Sequence, residues 1–436
     1  MKSEKIAYVI ASIIVITLII LLSFILTTSF SNKYPYDTTK KIYYVDNISS
    51  AQEKVIKRFN ELNKGKIEVI GINIPFSKFS TNERKELLAR FLRSKSDLID
   101  IIAIDQIWTA RFAKWALPLN NYFNRIVKND IISPAINTCV YDSTLIALPL
   151  YLDISLMYYR EDIINKLPNA EVIKRKLEKS ITWEDFITLK KQLNIDNPFF
   201  VFQAADFEGL ICIYTELLAM YNESFINGDL LNINTKKAEK TLNFLVDLIY
   251  TYGMSPKDVL KFKENLSYDY YIQNNGVFLR AWPGFESEIR KYKNVDSNAV
   301  FVKVPTPHFE GTNPKSVFGG WNLIISKYST KINESEKFLE FLMSSEAQKI
   351  MYEEGKILPV NKEIYADEAY IKLHPDLLFY KKLIETGVFR SQHPNYTHIT
   401  DLLSYYLNLA LEKRIDVKEA LIKAENKIST RTILLK

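Results

Sequence analysis

The sequence predicts an α/β protein of two domains behind a single N-terminal transmembrane helix. Three observations lead there. The chain has 436 residues, and domains usually run to roughly 100–200. From Ile42 onward, apolar runs of strand length alternate with segments of helical spacing, the pattern of a parallel sheet with crossover helices. Before that, Ile6 to Phe30 is an apolar stretch without a charge.

The apolar stretch comes first in the chain. Lys2 and Lys5 precede its 25 residues. At about 1.5 Å per residue such a helix crosses a hydrocarbon core of roughly 30 Å with some tilt. A cleaved signal peptide usually has an apolar centre of about 7–15 residues and a small-x-small cleavage site. Ser29-Phe30-Ser31 is a poor cleavage site, and no cysteine lies nearby to accept a lipid. Residues 1–31 are therefore expected to be an uncleaved anchor, and residues 32–41 a polar linker. Lysines flank both ends, so the positive-inside rule gives no orientation.

The soluble part then opens strand, helix, strand, helix, strand. Ile42 to Asp46 reads as a strand. Ser50 and Glu53 form a capping-box pair before Val55, Ile56, Phe59 and Leu62, which recur at helical spacing up to Gly65. Ile67 to Ile74 is strand-like, and Leu87, Leu88, Phe91 and Leu92 mark a second helix. Leu98 to Ile104 is continuously apolar, as a strand buried on both faces would be. Beyond residue 155 helices dominate. They are predicted over Trp183 to Leu193, Leu210 to Met220, Ala238 to Tyr252 and Glu336 to Tyr352. Two more fill Thr397 to Ser429, the second opened by Asp416 with Glu419 three residues on.

Composition narrows the function. The hydrophobic fraction of 47% supports packed cores and rules against disorder. A net charge of +6 is thinly spread, with acids among the bases as in Glu171 to Lys179. No nucleic-acid partner is expected. Two cysteines, Cys139 and Cys212, exclude a disulfide framework, and two free thiols are expected over one bridge. The four histidines show no metal-ligand spacing. No metal or cofactor is expected. No phosphate-binding GxxxxGK[ST] is present, so ATP hydrolysis by that route is not expected.

Seven segments, in order, resemble the extracellular solute-binding proteins of carbohydrate ABC importers, of the maltose/trehalose-binding type. They are DIIAIDQIWTARFAKWALPLNNYF (100–123), ALPLYLDISLMYYREDI (147–163), ITWEDF (181–186), FQAADFEGLICIYTELL (202–218), GVFLRAWPGFESEI (276–289), FGGWNLIISKYS (318–329) and EKFLEFLMSSEAQKIMYEEGKILPV (336–360). The chain departs from that family in lacking a lipid-accepting cysteine and in having no glycine around Ala204. The resemblance implies a two-lobed periplasmic-binding-protein-like fold of type II, with a hinge and an interlobe cleft. It places lobe I at 42–152 plus about 299–345, and lobe II at about 153–298 plus 346–436.

A sugar offers hydroxyls on its rim and C–H patches on its faces, so its site needs flat aromatic surfaces and carboxylate acceptors. Trp282 sits before a Pro-Gly loop. Trp108 and Asp105 follow a strand end, where ligands of open α/β sheets bind. Asp153 interrupts an apolar run, and an unpaired buried carboxylate is costly. Glu208 opens a helix, and Gly319, Gly320 and Trp321 open an apolar strand. With Arg111 and Tyr151 these are the expected ligand contacts. The expected function is capture of a mono- or oligosaccharide by hinge closure, without catalysis, on the extracytoplasmic face of the membrane. The partners expected are the sugar, an ABC importer permease and the membrane, with the protein a monomer. A sensing or adhesive ectodomain of the same fold, and a glycoside hydrolase using two carboxylates, are the alternatives.

Overall fold

The computed structural model describes residues 13–21, 23, 39–75, 78, 79, 81–193, 197–292 and 295–435. Most of the expected anchor and linker lies outside these residues. Residues 13–21 and 23 are helical, with apolar side chains such as Ile13 and Leu21 exposed. No described helix is long and apolar enough to cross a membrane.

Ten strands form two sheets: β1 (Lys40–Asp46), β2 (Ile67–Asn73), β3 (Ile101–Asp105), β4 (Leu148–Ile154), β5 (Leu156–Arg160), β6 (Phe200–Val201), β7 (Phe278–Ala281), β8 (Phe301–Val304), β9 (Ser316–Ile325) and β10 (Gly387–Val388). The helices used below are α1 (Ser50–Leu62), α2 (Thr81–Arg93), α3 (Trp183–Leu193), α4 (Glu208–Met220), α5 (Lys236–Tyr250), α6 (Glu264–Gln273), α7 (Ile332–Met343), α8 (Ser345–Gly355), α9 (Asp376–Ile384), α10 (Tyr396–Leu411) and α11 (Val417–Leu435).

The first sheet runs β10-β9-β3-β1-β2, with β4 also paired to β9. β1, β2 and β3 are parallel, as the alternating pattern requires. β9 runs antiparallel to both β3 and β4, and all ten of its residues are buried. The second sheet runs β8-β5-β7-β6. Its core is aromatic, with Trp183 of α3 packed on Phe186, Phe200 and Phe244.

Local chemistry explains several element ends. α1 is capped one residue earlier than expected. Ser49 accepts from the Gln52 amide, and the Gln52 side chain accepts from the Ser49 amide. The predicted helix 336–352 is two helices. Ser344 adopts an extended backbone and caps α8 through the Ala347 amide, so it breaks the run. Asp416 accepts from the Glu419 amide at the start of α11, as expected. Cys139 and Cys212 are separate buried thiols.

The outer edge of β2 faces no other strand among the described residues. There the Asn60 side chain donates to the Val69 carbonyl at 3.0 Å and accepts from the Val69 amide at 2.8 Å.

The chain passes from the first sheet to the second at Ser155. That residue is buried, and it exchanges two hydrogen bonds with Val317 across the lobe boundary. Pairing moves the other expected boundaries. β8 bonds to β5, so the return falls at 305–315 rather than near 298. α8 packs on α1 of the first lobe, and β10 pairs with β9, so 346–355 and 387–388 lie with the first lobe. Where the segments meet, Lys303 of β8 pairs with Glu286 and with Asp376 of α9. Lys356 also pairs with Asp376, and Tyr158 of β5 donates to Glu286.

Asn322 locks β9 to the loop after β3. Its amide nitrogen donates to Thr109 Oγ1 and the Thr138 carbonyl, and its oxygen accepts from Thr138 Oγ1. The side chain is 1% exposed. Asn322→Leu removes all three bonds and takes a buried donor from the Thr138 carbonyl, although the Thr109 and Thr138 hydroxyls keep the Gln106 and Ala135 carbonyls, so a loss of about 1–3 kcal/mol in urea-unfolding stability is expected.

Candidate functional site

β9 brings most of the sequence-predicted residues together. Trp321 lies opposite Asp105 on β3 and opposite Tyr151 on β4, and Gly319 lies opposite Asp153. Three neighbouring strands thus present Asp105, Tyr151, Asp153, Gly319 and Trp321 at one end of the first sheet. The second lobe adds Trp282, which follows β7, and Glu208, the first residue of α4.

Both glycines sit at close approaches, and Gly320 admits no side chain without strain. A Cβ on Gly320 would stand 2.5 Å from the Tyr151 carbonyl oxygen, and the residue has φ +132°. A Cβ on Gly319 would stand 3.0 Å from the Trp282 ring. The indole of one lobe therefore rests on the bare backbone of the other.

Two residues behave differently. Trp108 is fully buried, edge-on to Trp321 at 5.6 Å and stacked at 6.0 Å with Phe112. It backs Trp321, and its indole N–H has no hydrogen-bond partner among the described residues. Arg111 pairs with Glu86 at 3.2 Å, on the flank of α2.

The structure adds charged residues that the sequence reading missed. Arg390 is 7% exposed. It pairs with Asp105 at 3.2 Å and Glu208 at 2.9 Å, and donates to the Phe318 carbonyl. One guanidinium thus joins a strand end of the first lobe to a helix start of the second. Tyr396 of α10 donates to Glu208 at 2.8 Å. Burial opposes the charge of Arg390, but Asp105 and Glu208 hold its pKa well above the ordinary value. Burial likewise raises Glu208, with Arg390 countering.

A second cluster sits at the end of β1. Asp46 accepts from Tyr44 at 2.6 Å and from Gln52, and pairs with Arg84 of α2 at 3.4 Å. The Arg84 guanidinium lies 4.6 Å from the Trp321 ring centroid. The signals were present in the chain. Asp46 ends a strand as Asp105 does. Arg84 occupies the stripe of Leu88 and Leu92, where a cation is out of place. Arg390 has no such pattern; pairing of Gly387–Val388 with Ser316–Val317 puts it there.

These groups offer flat aromatic surface, acceptors and donors at an interlobe boundary. Two grooves lie away from it, one between α1 and β2 lined by Lys57, Asn60 and Gly71, the other lined by Tyr405, Leu409 and Lys427.

The arrangement of two α/β sheets joined at Ser155, with an aromatic and ionic cluster between them, is that of a two-lobed solute-binding protein. The sequence profile of the bacterial extracellular solute-binding proteins matches residues 44–349, and the chain belongs to that family. A relative from Deinococcus radiodurans, described as a "probable ABC transporter-binding protein", is 23% identical over 80% of this chain and 84% of its own. The fold is also that of maltose-bound MalE3 from T. maritima (TM-score 0.79, 23% identity, 89% of this chain and 99% of that one). It is shared by a Thermotoga lettingae solute-binding protein with α-D-tagatose (0.75, 19%, 90% and 99%). An Agrobacterium vitis solute-binding protein with D-mannitol shares it too (0.72, 17%, 91% and 99%).

Two predictions follow from the glycine and the carboxylate. Gly320→Ala forces a Cβ into the Tyr151 carbonyl in a strained conformation, and a loss on the order of 2 kcal/mol or more is expected on thermal unfolding. Burial pushes Asp153 from 3.8 to about 7, with the Ile154 amide and Arg390 opposing. The folded chain then holds a proton that the unfolded chain loses near pH 4. Stability therefore falls as pH rises through about 4 to 7 and levels off above. In Asp153→Asn that slope should flatten and the melting temperature at pH 8 should exceed the wild type's.

Proposed function

We propose that this chain captures a sugar or related polyol outside the cytoplasm and delivers it to an ABC importer permease. The observation that carries the reading is the interlobe meeting of Trp282, Trp321, Asp153 and the Asp105–Arg390–Glu208 bridge. Indole faces suit the C–H patches of a sugar ring, and ionised groups bond its hydroxyls strongly. The named neighbours carry maltose, tagatose and mannitol, all polyhydroxylated, which supports the same class here. Ligand would bridge the lobes and favour the closed form by its greater affinity for that form.

In this reading Asp46, Arg84, Asp105, Tyr151, Asp153, Glu208, Trp282, Trp321 and Arg390 frame the site, and Gly319 and Gly320 let the walls approach. Arg111 acts from the rim, and Trp108 supports Trp321. Residues 1–31 tether the protein to the membrane as a monomer. Glycoside hydrolysis fits less well. Two carboxylates must act across a bond, yet Arg390 and Tyr396 occupy Glu208, and Arg390 also holds Asp105.

Calorimetric and tryptophan-fluorescence titration of the purified protein with maltose, D-tagatose, D-mannitol and a wider sugar panel tests this. Saturable binding without product is expected, and Trp282→Ala should weaken it about tenfold or more. Flat fluorescence and an unmoved melting temperature across the panel would refute the sugar assignment.

A further inference from the structure

We propose that Arg280 is a positioning residue, which fixes the indole plane of Trp282 as the second lobe's wall of the cleft. The functional half of this proposal rests on the sugar-binding reading; the structural half does not.

Side chains two apart on a strand share a face, so Arg280, within β7, and Trp282, just past its end, point the same way. The Arg280 guanidinium carbon lies 5.2 Å from the Trp282 ring centroid, within the roughly 6 Å range of a cation–π contact. The outer edge of the same ring, at Cζ3 and Cη2, meets Gly319 of the opposite lobe. The indole thus touches a cation from its own lobe and bare backbone from the other, and it is also hydrogen-bonded to the Glu264 carboxylate.

The cation itself cannot move. Arg280 is 1% exposed, Glu216 2% and Gln203 0%. Arg280 Nε donates to Glu216 Oε2 at 3.2 Å, Nη2 donates to Glu216 Oε1, and Nη1 donates to Gln203 Oε1 at 3.1 Å. Gln203 is oriented in turn, because its nitrogen donates to Ser267 Oγ at 2.7 Å and to the Arg280 carbonyl at 2.9 Å. Every donor nitrogen of the guanidinium thus has a fixed acceptor.

Stability alone gives little reason for such a pair, since a buried ion pair is often matched or bettered by apolar residues of similar volume. What an apolar replacement lacks is a planar charge of set orientation. Lysine lacks the fork that sets the plane. A wall fixed in advance lowers the ordering cost of binding. Removing Arg280 should therefore weaken binding while the contact residue itself remains.

The test uses the full-length protein and three variants: Arg280→Lys, Arg280→Met, and Arg280→Met with Glu216→Gln. The last removes both charges, leaving no orphaned carboxylate to unfold the lobe. The first readout is ligand-free. Of the five tryptophan indole N–H resonances, that of Trp282 is assigned by its loss in Trp282→Phe. In the double variant this signal should shift and broaden and Trp282 should become more quenchable by acrylamide, while the Trp115 and Trp183 signals stay. Arg280→Lys should recover the signal in part. The second readout is calorimetric titration with maltose. The double variant should bind roughly three- to tenfold more weakly, and should add no further loss on a Trp282→Ala background. A folded double variant with the Trp282 signal and quenching of the wild type overturns the proposal, as does full additivity with Trp282→Ala. If the double variant does not fold, the Arg280→Lys signal and its quenching decide in the same way. Wild-type protein that ignores maltose counts against that sugar alone, and the indole readout still judges Arg280.

Discussion

The strand Ser316–Ile325 carries the constraint on which the site depends. It is buried along its whole length and bonded on one side to Ile101–Asp105, on the other to Leu148–Ile154. A one-residue slip would turn every side chain to the opposite face. It would move Trp321 away from Arg84 and Trp108, and Gly319 away from Trp282. Asn322 and Gly320 prevent such a slip in different ways. The first saturates its hydrogen bonds with Thr109 and Thr138. The second admits a carbonyl where no side chain fits.

The charges around this strand follow one rule. A buried ion is tolerated when partners satisfy it, and each arginine here has one. Arg84 has Asp46, Arg280 has Glu216, and Arg390 has two carboxylates from different lobes. Asp153 stands apart. Among the described residues only the Ile154 amide bonds its carboxylate, and burial dominates its pKa. A carboxylate kept costly in this way can gain from hydroxyl donors that enter the site.

Much of this was legible in the chain. The parallel opening of the first sheet followed from strand-length apolar runs, and the strand-end rule pointed to Asp105. The interrupting acid Asp153 and the glycine pair were marked by their misfit with their neighbours. What escaped were residues defined by distant partners. Arg390 reaches Asp105 across 285 positions, and no local pattern encodes that. Glu216 looks like any helical glutamate until Arg280 is set beside it. The lobe boundaries were misplaced for the same reason. Only the pairing of Phe301–Val304 with Leu156–Arg160 assigns that segment to the second sheet.

One small feature bears on how the protein survives outside its site. Strand Ile67–Asn73 ends the first sheet, and an open strand margin is a template for another chain to join. Asn60 sits over that margin and occupies both backbone groups of Val69. The helix that links the first two strands thus also covers part of that margin, with one carboxamide standing in at Val69 for the missing neighbour. A strand of another copy then meets a margin whose Val69 bonds are already used, which disfavours growth into a cross-chain ribbon.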